Sequence, residues 1–199
     1  MKIILVGASG DVGQAAYAEL TKQHDVIRVG RRTGDVIADI GDKCSIEAMF
    51  NKIGAFDALV STAGNVHFAP LSDFSEATFM IGLQNKVMGQ INLVLSGMNR
   101  ISDKGSFTLT SGVLDRDPVI SGTGAATANG ALAGFVTGAA IELRRGIRIN
   151  VVSPGLLETS DQRYGSFFPG HERVSSAKVG RAFAKCVDGA LTGQVVIVE

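Results

Sequence analysis

The sequence lacks tryptophan, has only two cysteines and two tyrosines, and carries no excess of either charge. Cys44 and Cys186 are too few for a disulfide framework and do not have the spacing of metal ligands, so we expect reduced thiols and no metal site. The 19 basic and 19 acidic residues cancel, which leaves no net field to attract nucleic acid or an anionic membrane surface. We therefore expect neither of these partners.

Long apolar segments are also absent. No run reaches the about 20 residues that a membrane-spanning helix needs. The opening segment, Lys2–Val6, ends at Gly7 and is too short for the core of a signal peptide. These absences predict a cytoplasmic protein that is not inserted in a membrane.

Apolar residues make up 45% of the 199 residues, and glycine alone contributes 25, which suits one domain with a substantial core. Short apolar runs alternate with longer helical patterns. Strands are predicted at Lys2–Val6, 25–29, 35–38, 57–61, 106–110, 147–152 and Val195–Val198. Helices are predicted at 11–22, 45–53 with Ser45 as N-cap, about 75–99, 123–144 and 175–187, and 160–174 is predicted as a loop with at most one short helix.

Strands that alternate with helices form βαβ units, whose strands run parallel. The pattern predicts an α/β fold of the Rossmann type, with a doubly wound parallel sheet and helices on both faces. We expect residues 1–199 to form a single NAD(P)-binding domain.

A glycine-rich segment joins the first strand to the first helix, with the sequence Gly7-Ala8-Ser9-Gly10-Asp11-Val12-Gly13. Glycines let the backbone turn sharply and approach a pyrophosphate, and the free N–H groups of the helix start attract its charge. The segment predicts a dinucleotide site. The alternative is a strand–helix turn that binds no ligand.

The end of the second strand indicates which dinucleotide binds. It reads Val29-Gly30-Arg31-Arg32 and has no carboxylate for the ribose hydroxyls of NAD. A guanidinium group suits the additional phosphate of NADP(H) because its planar fork donates two parallel hydrogen bonds. We therefore expect NADP(H) to be preferred, with NAD(H) still possible. The alternative is a solvated arginine pair on a turn.

These motifs, in this order, resemble the short-chain dehydrogenase/reductase family over almost the whole chain. The glycine segment resembles the family's motif, although as G-x-x-G-x-x-G instead of the commoner G-x-x-x-G-x-G. Further resemblances lie in Ala38-Asp39-Ile40 (adenine contact), Ser61-Thr62-Ala63-Gly64 (the family's Asn-Asn-Ala-Gly), Ile147 to Gly155 with its Pro154-Gly155 turn beside the nicotinamide, Thr159 (carboxamide contact) and Thr192-Gly193-Gln194-Val195 (final strand).

The resemblance implies a set of cofactor-binding residues along the carboxyl ends of the strands. They are Gly7, Ser9, Gly10, Asp11, Val12, Gly13, Arg31, Arg32, Asp39, Ile40, Ala63, Gly64, Lys86, Pro154, Gly155 and Thr159.

The catalytic residues of the family do not match. In the family a tyrosine donates a proton to the substrate, and a lysine four residues later lowers the pKa of that tyrosine and holds the ribose. The resemblance places Ala125 at the tyrosine position and Asn129 at the lysine position, and residues 115–140 contain neither tyrosine nor lysine. We therefore expect the family's usual carbonyl substrates to be turned over very slowly or not at all.

Two other residues are candidates for an active-site role. The resemblance places the family's serine position at Gly112 or, with a slip of one residue, at Ser111, and its asparagine position at Lys86 or, with the same slip, at Asn85. Ser111 ends a strand, where ligands bind in open α/β sheets. Lys86 could hold ribose, orient water or polarise a carbonyl; the alternative is an exposed helical lysine.

His67 and Tyr164 are weaker candidates, because a surface position explains each of them more simply.

The sequence thus predicts an NADP(H)-binding oxidoreductase for an unknown small carbonyl or alcohol, with a degenerate active site. The alternatives are a non-catalytic NADP(H) sensor or scaffold and, on the same fold, an isomerase or epimerase. The segment 123–144 is rich in alanine and glycine. Together with the family's habit of pairing its long helices, it predicts a homodimer or homotetramer, although these small residues could instead pack against the chain's own sheet.

Overall fold

The computed structural model describes residues 1–199 and is built around a parallel sheet of seven strands. The strands are β1 (Lys2–Val6), β2 (Asp25–Gly30), β3 (Val36–Ile37), β4 (Phe56–Ser61), β5 (Ile101–Thr110), β6 (Arg148–Pro154) and β9 (Val195–Val198). Their order in the sheet is β3-β2-β1-β4-β5-β6-β9. Two shorter strands, β7 (Leu156–Leu157) and β8 (Arg173–Val174), form a separate parallel pair.

Helices cover both faces of the sheet. They are α1 (Asp11–Leu20), α2 (Lys43–Ile53), α3 (Glu76–Gly82), α4 (Gly89–Gly97), α5 (Thr123–Glu142), α6 (Asp161–Tyr164) and α7 (Ser176–Asp188). Buried residues of α2, α4 and α5 share one apolar cluster, and those of α1 and α7 share another. The predicted Rossmann-type fold is therefore confirmed.

The first strand shows why the sheet has two cores. Ile4 and Val6 belong to the cluster under α2, α4 and α5, whereas Ile3 and Leu5 belong to the cluster under α1 and α7. Successive side chains of a strand point to opposite faces, so a continuous apolar run suits a strand that is covered on both sides. No helix in the chain has the length and apolar character required to cross a bilayer.

Three local predictions differ from the structure. Ser45 is not the N-cap of α2: Asp42 Oδ1 accepts a 2.9 Å hydrogen bond from Cys44 N instead, and Ser45 Oγ accepts from Asp39 N at 3.0 Å. Strand β5 begins at Ile101 instead of 106, because a register shift against β4 lets the strand continue past an irregular stretch. Within 160–174, the short strand β8 accompanies the expected helix α6.

The predicted helix over 75–99 consists of α3, α4 and a π-helical turn between them, Leu83–Met88. Single π turns inside α-helices occur frequently at functional sites. This turn carries Lys86.

Candidate functional site

The glycine segment crosses the carboxyl end of β1 in very close contact with its neighbours. Gly7 has φ +87°, and a Cβ there would lie 2.8 Å from Ala63 N. A Cβ at Gly13 would lie 2.1 Å from Gly7 O. Only glycine fits either position, and no side chain caps the start of α1 at Gly10. The N–H groups at the start of α1 therefore remain available for an anion such as a pyrophosphate.

A first cavity of about 230 Å³ opens beside this segment. Its lining includes seven of the residues predicted to bind cofactor, namely Gly7, Ser9, Arg31, Asp39, Ile40, Ala63 and Gly64. Arg32 is exposed and lies outside the lining. Of the two arginines, only Arg31 therefore borders the cavity.

The carboxylate nearest to the end of β2, Asp35, is engaged elsewhere. Arg28 donates to it through Nε at 3.0 Å and Nη2 at 2.7 Å. These hydrogen bonds lower the pKa of Asp35 to about 2. Asp35 consequently stays ionised and paired with Arg28, and Arg31 forms no ion pair either with it or with Asp39, the carboxylate that shares the cavity lining.

A second cavity of about 360 Å³ lies over the carboxyl ends of β4, β5 and β6. Gly64 and Asn65 line both cavities, so the two adjoin at these residues. Most of the lining is apolar, and Lys86 is the only charged side chain in it. Its lining also includes the predicted residues Val12, Ser111, Pro154 and Gly155, together with Ala125 and Asn129. A dinucleotide that starts over α1 can thus extend towards Lys86 and Ser111.

Lys86 reaches this cavity by passing over a glycine. A Cβ at Gly64, which has φ +153°, would lie 2.6 Å from Lys86 Cγ, so the absence of a side chain gives the lysine its path. Lys86 Nζ donates to Ser111 O at 2.9 Å and to Asn129 Oδ1 at 2.6 Å. An ammonium has three N–H donors, and the third has no partner within the protein.

Asn129 fixes the direction of this contact. The side chain is buried, and its Nδ2 donates a 3.0 Å hydrogen bond to Gly112 O. The amide oxygen must then face Lys86, since an ammonium can only donate. The neutral amide does not offset the cost of burying the lysine, and desolvation lowers the pKa of Lys86 to about 8, although Asp115 opposes part of this effect.

Ser111, whose carbonyl oxygen accepts from Lys86, also carries a hydroxyl group. It is 5% exposed and its Oγ has no hydrogen-bond partner within the protein. A buried hydroxyl without a partner is costly, which favours a ligand that completes its hydrogen bonding. The residues of the two cavities therefore fit a dinucleotide and a small polar group at its reactive end.

Of the other predicted residues, Thr159 and His67 lie apart from the two cavities, whereas Tyr164 lines the second one. Thr159 is exposed and lines a separate depression beside α1, whereas its neighbour Ser160 lines the second cavity. His67 packs edge-on against Phe74 at 5.5 Å between ring centroids and lines neither cavity. Tyr164 lines the second cavity but is 45% exposed.

Asp11 contacts the segment that covers the second cavity, residues 156–174. Its carboxylate accepts from Ser160 Oγ and forms an ion pair with Arg163. Sequence reasoning missed Ser160, and it identified Asn129 only as a departure from the family's lysine and not as a residue of the site. A polar residue inside the alanine-rich α5 was the available signal for Asn129, whereas Ser160 had none.

Comparisons with known proteins show which family and fold the chain resembles. A family described as "Enoyl-(Acyl carrier protein) reductase" matches residues 1–185. The chain is similar to protein lin1944 from Listeria innocua, with 47% identity, complete coverage of both chains and a TM-score of 0.99. It is also similar to a small-chain dehydrogenase in complex with NADPH, with 26% identity, a TM-score of 0.87 and coverage of 100% of this chain and 96% of that one.

A structure described as ElxO with NADP bound shares the fold at 18% identity, with a TM-score of 0.86 and coverage of 99% of this chain and 96% of that one. No curated protein matches the chain.

Proposed function

The chain belongs to the short-chain dehydrogenase/reductase family of oxidoreductases, and we propose that it uses NADP(H) to interconvert a small carbonyl compound and its alcohol. The observation that carries this proposal is that Lys86, with an unused N–H donor, and Ser111, with an unpartnered hydroxyl, line a cavity that adjoins the one at the glycine segment. Hydrogen-bond donors in a largely apolar cavity stabilise negative charge that develops on a substrate oxygen.

Cofactor binding follows from the first cavity. The uncapped start of α1 would hold the pyrophosphate, and Arg31 would hold the 2′-phosphate of NADP(H). Asp39 lies in the same lining, where the adenine contact is expected. The NADPH bound to a relative of 26% identity supports this assignment. When bound, the cofactor supplies or accepts the hydride.

We infer the substrate class from the lining of the second cavity. Val66, Phe68, Leu114, Leu156 and Phe168 contribute apolar walls. Such walls favour a compound with an apolar or aromatic body over a sugar or a polyanion. The polar groups of the cavity would then orient its single reactive oxygen.

The test is a panel of aldehydes, ketones and quinones, assayed with NADPH by the loss of the cofactor's absorbance over long incubations. We expect turnover with an apolar member of the panel, reduced in Ser111→Ala and unchanged in Ser72→Ala, whose hydroxyl bonds only the exposed Asp73. NADPH binding without any turnover would contradict the proposal and favour a sensor or scaffold, the function that Ala125 in place of a tyrosine otherwise suggests.

We also propose that the protein forms a homodimer or homotetramer through α4 and α5. Positions Gly130, Gly134 and Gly138, one helical turn apart, have open space where a side chain would stand. Leu95 is 52% exposed and Ile141 is 88% exposed on the same pair of helices. Small residues permit close helix approach, and exposed large apolar residues mark surfaces that become covered.

A further inference from the structure

We propose that Lys86 is the proton donor of this site, with the Ser111 hydroxyl as the second hydrogen-bond donor to the substrate oxygen. The inference rests on the proposed oxidoreductase function and concerns the step that the absence of a tyrosine leaves unexplained. It assigns to a lysine on the π turn a role that no residue of α5 can perform, because α5 presents only Ala125 and Asn129 to the cavity.

Lys86 on the π turn and Asn129 on α5 are exchanged relative to the family pattern. The family resemblance assigns an asparagine to position 86 and a lysine to position 129, whereas the chain has Lys86 and Asn129. The structure brings the two side chains into contact at 2.6 Å. Each side chain thus stands where the other is expected, and the amine enters the cavity from the opposite wall.

Lys86 and Ser111 both have hydrogen-bonding capacity that the protein does not use. Ser111 O and Asn129 Oδ1 take two of the three N–H donors of Lys86. The third donor and the unpartnered Ser111 Oγ belong to side chains that line the same cavity. One substrate oxygen can accept from both groups, as in an oxyanion site built from two donors.

Few charged groups surround Lys86. The π turn packs against α3, α4 and α5, and none of these helices places a titratable side chain in the cavity lining. Asp115 is the one carboxylate that acts on Lys86, and Arg116 contacts that carboxylate at 3.4 Å. Tyr164 is the other titratable side chain of the lining. With a pKa of about 8, Lys86 is protonated at neutral pH and can still release its proton.

The proposed reduction balances. The carbonyl carbon accepts the hydride that NADPH supplies, the π electrons of the C=O bond move to the oxygen, and Lys86 Nζ gives that oxygen a proton. The products are the alcohol, NADP⁺ and a neutral Lys86, which takes a proton from water. In the oxidation direction, neutral Lys86 accepts the proton of the alcohol.

The sign of the pH dependence follows. Reduction requires protonated Lys86, so its rate falls as the pH rises through about 8, and oxidation rises over the same interval. Lys86→Arg keeps the positive charge but holds its proton at every accessible pH. This variant therefore separates proton donation from simple charge stabilisation.

The experiment compares wild type, Lys86→Arg, Lys86→Met and the exposed control Lys52→Met. Binding of NADPH is measured by calorimetry, and kcat for the best carbonyl of the panel is measured from pH 6 to 10. A separate readout, free of activity, is the NMR titration of the lysine Cε resonances after ¹³C labelling of the lysines, in which Lys86→Arg identifies the resonance of Lys86.

We expect one lysine resonance to titrate near pH 8 and to be missing in Lys86→Arg. We also expect Lys86→Arg and Lys86→Met to lose at least about 100-fold in kcat, to retain NADPH binding, and to lose the pH dependence, while Lys52→Met behaves as wild type. Full activity of Lys86→Arg, or titration of Lys86 near its ordinary value, would overturn the inference alone. An inactive wild type that binds NADPH would instead overturn the proposed function, and the inference with it.

Discussion

Lys86 Nζ donates a 2.6 Å hydrogen bond to Asn129 Oδ1 and thereby ties the π turn to α5 at the floor of the second cavity. Asn129 in turn donates to Gly112 O, where the backbone has φ +156° and a Cβ would lie 3.2 Å from Asn129 Nδ2. The position of the ammonium therefore depends on an amide and a glycine that never need to touch the substrate. Changes to these supporting groups should alter the pKa of Lys86 before they alter the fold.

Asn129→Asp should raise the pKa of Lys86, because it replaces a neutral oxygen with a charged one at hydrogen-bond distance. An opposite charge so close shifts a pKa by about 1–3 units, so the fall of the reduction rate should move to higher pH by at least about one unit. The ¹³C NMR titration of the labelled lysines checks this shift. Asn99→Asp, which adds the same charge at an exposed position, should leave it unchanged; a pH profile that does not move in Asn129→Asp would count against Lys86 as the titrating group.

Gly64→Ala should disturb the site through the path of Lys86. A Cβ at this position would lie 2.6 Å from Lys86 Cγ and would also occupy a backbone conformation with φ +153°. We expect a loss of about 1–3 kcal/mol in the free energy of unfolding together with a loss of turnover. Gly54→Ala is the matched control, since φ is +73° there and nothing lies near the added atom.

The control should lose stability but keep its turnover. Both variants are compared by urea denaturation and by the NADPH assay. Equal turnover of Gly64→Ala and wild type would show that the lysine does not need this path.

Arg31→Ala should weaken NADPH binding by about tenfold or more, since a charge-assisted phosphate contact contributes about 1.5–3 kcal/mol. NADH lacks the 2′-phosphate, so its affinity should hardly change. Arg32→Ala should have the smaller effect, because Arg32 does not border the first cavity. Calorimetric titration of both cofactors measures these affinities, with the exposed Arg144→Ala as control. If the wild type bound NADPH and NADH with equal affinity, the prediction that Arg31 binds the 2′-phosphate would be wrong.

Ile141→Glu should dissociate the proposed oligomer, because a charge on the exposed face of α5 would be buried in the interface. Analytical ultracentrifugation at micromolar concentration should show an oligomer for wild type and a monomer for the variant. Ile120→Glu is a matched control, since Ile120 is 91% exposed on a loop outside α4 and α5. A monomeric wild type would refute the proposal directly.

The elements that local sequence determines were the ones that could be predicted. The continuous apolar run Lys2–Val6 requires a strand covered on both sides, and the glycines at 7 and 13 require close backbone approach wherever the chain goes next. Strand β8 could not be predicted, because two residues carry no periodic signal and only the pairing with β7 orders them.

The contact between Lys86 and Asn129 lies beyond such reasoning for a different reason. The two residues are 43 positions apart, and only the packing of the π turn against α5 brings them together. Family resemblance marked both positions as departures, but each departure considered alone suggests a lost function. The position of Ser160 could not be predicted either. Ser160 lines the second cavity, whereas the adjacent Thr159 lines a separate depression, and the sequence does not show which of two neighbouring side chains faces a cavity.

A crystal structure with NADPH bound would test most directly whether Lys86 and Ser111 act on a substrate beside the nicotinamide. We expect the 2′-phosphate at Arg31, the pyrophosphate at the start of α1, and C4 of the nicotinamide facing the second cavity. Lys86 Nζ and Ser111 Oγ should then both point at one site within about 3–3.5 Å of C4, where a substrate carbonyl can react. A nicotinamide outside the second cavity, or a Lys86 whose free N–H is taken up by the ribose, would contradict this expectation.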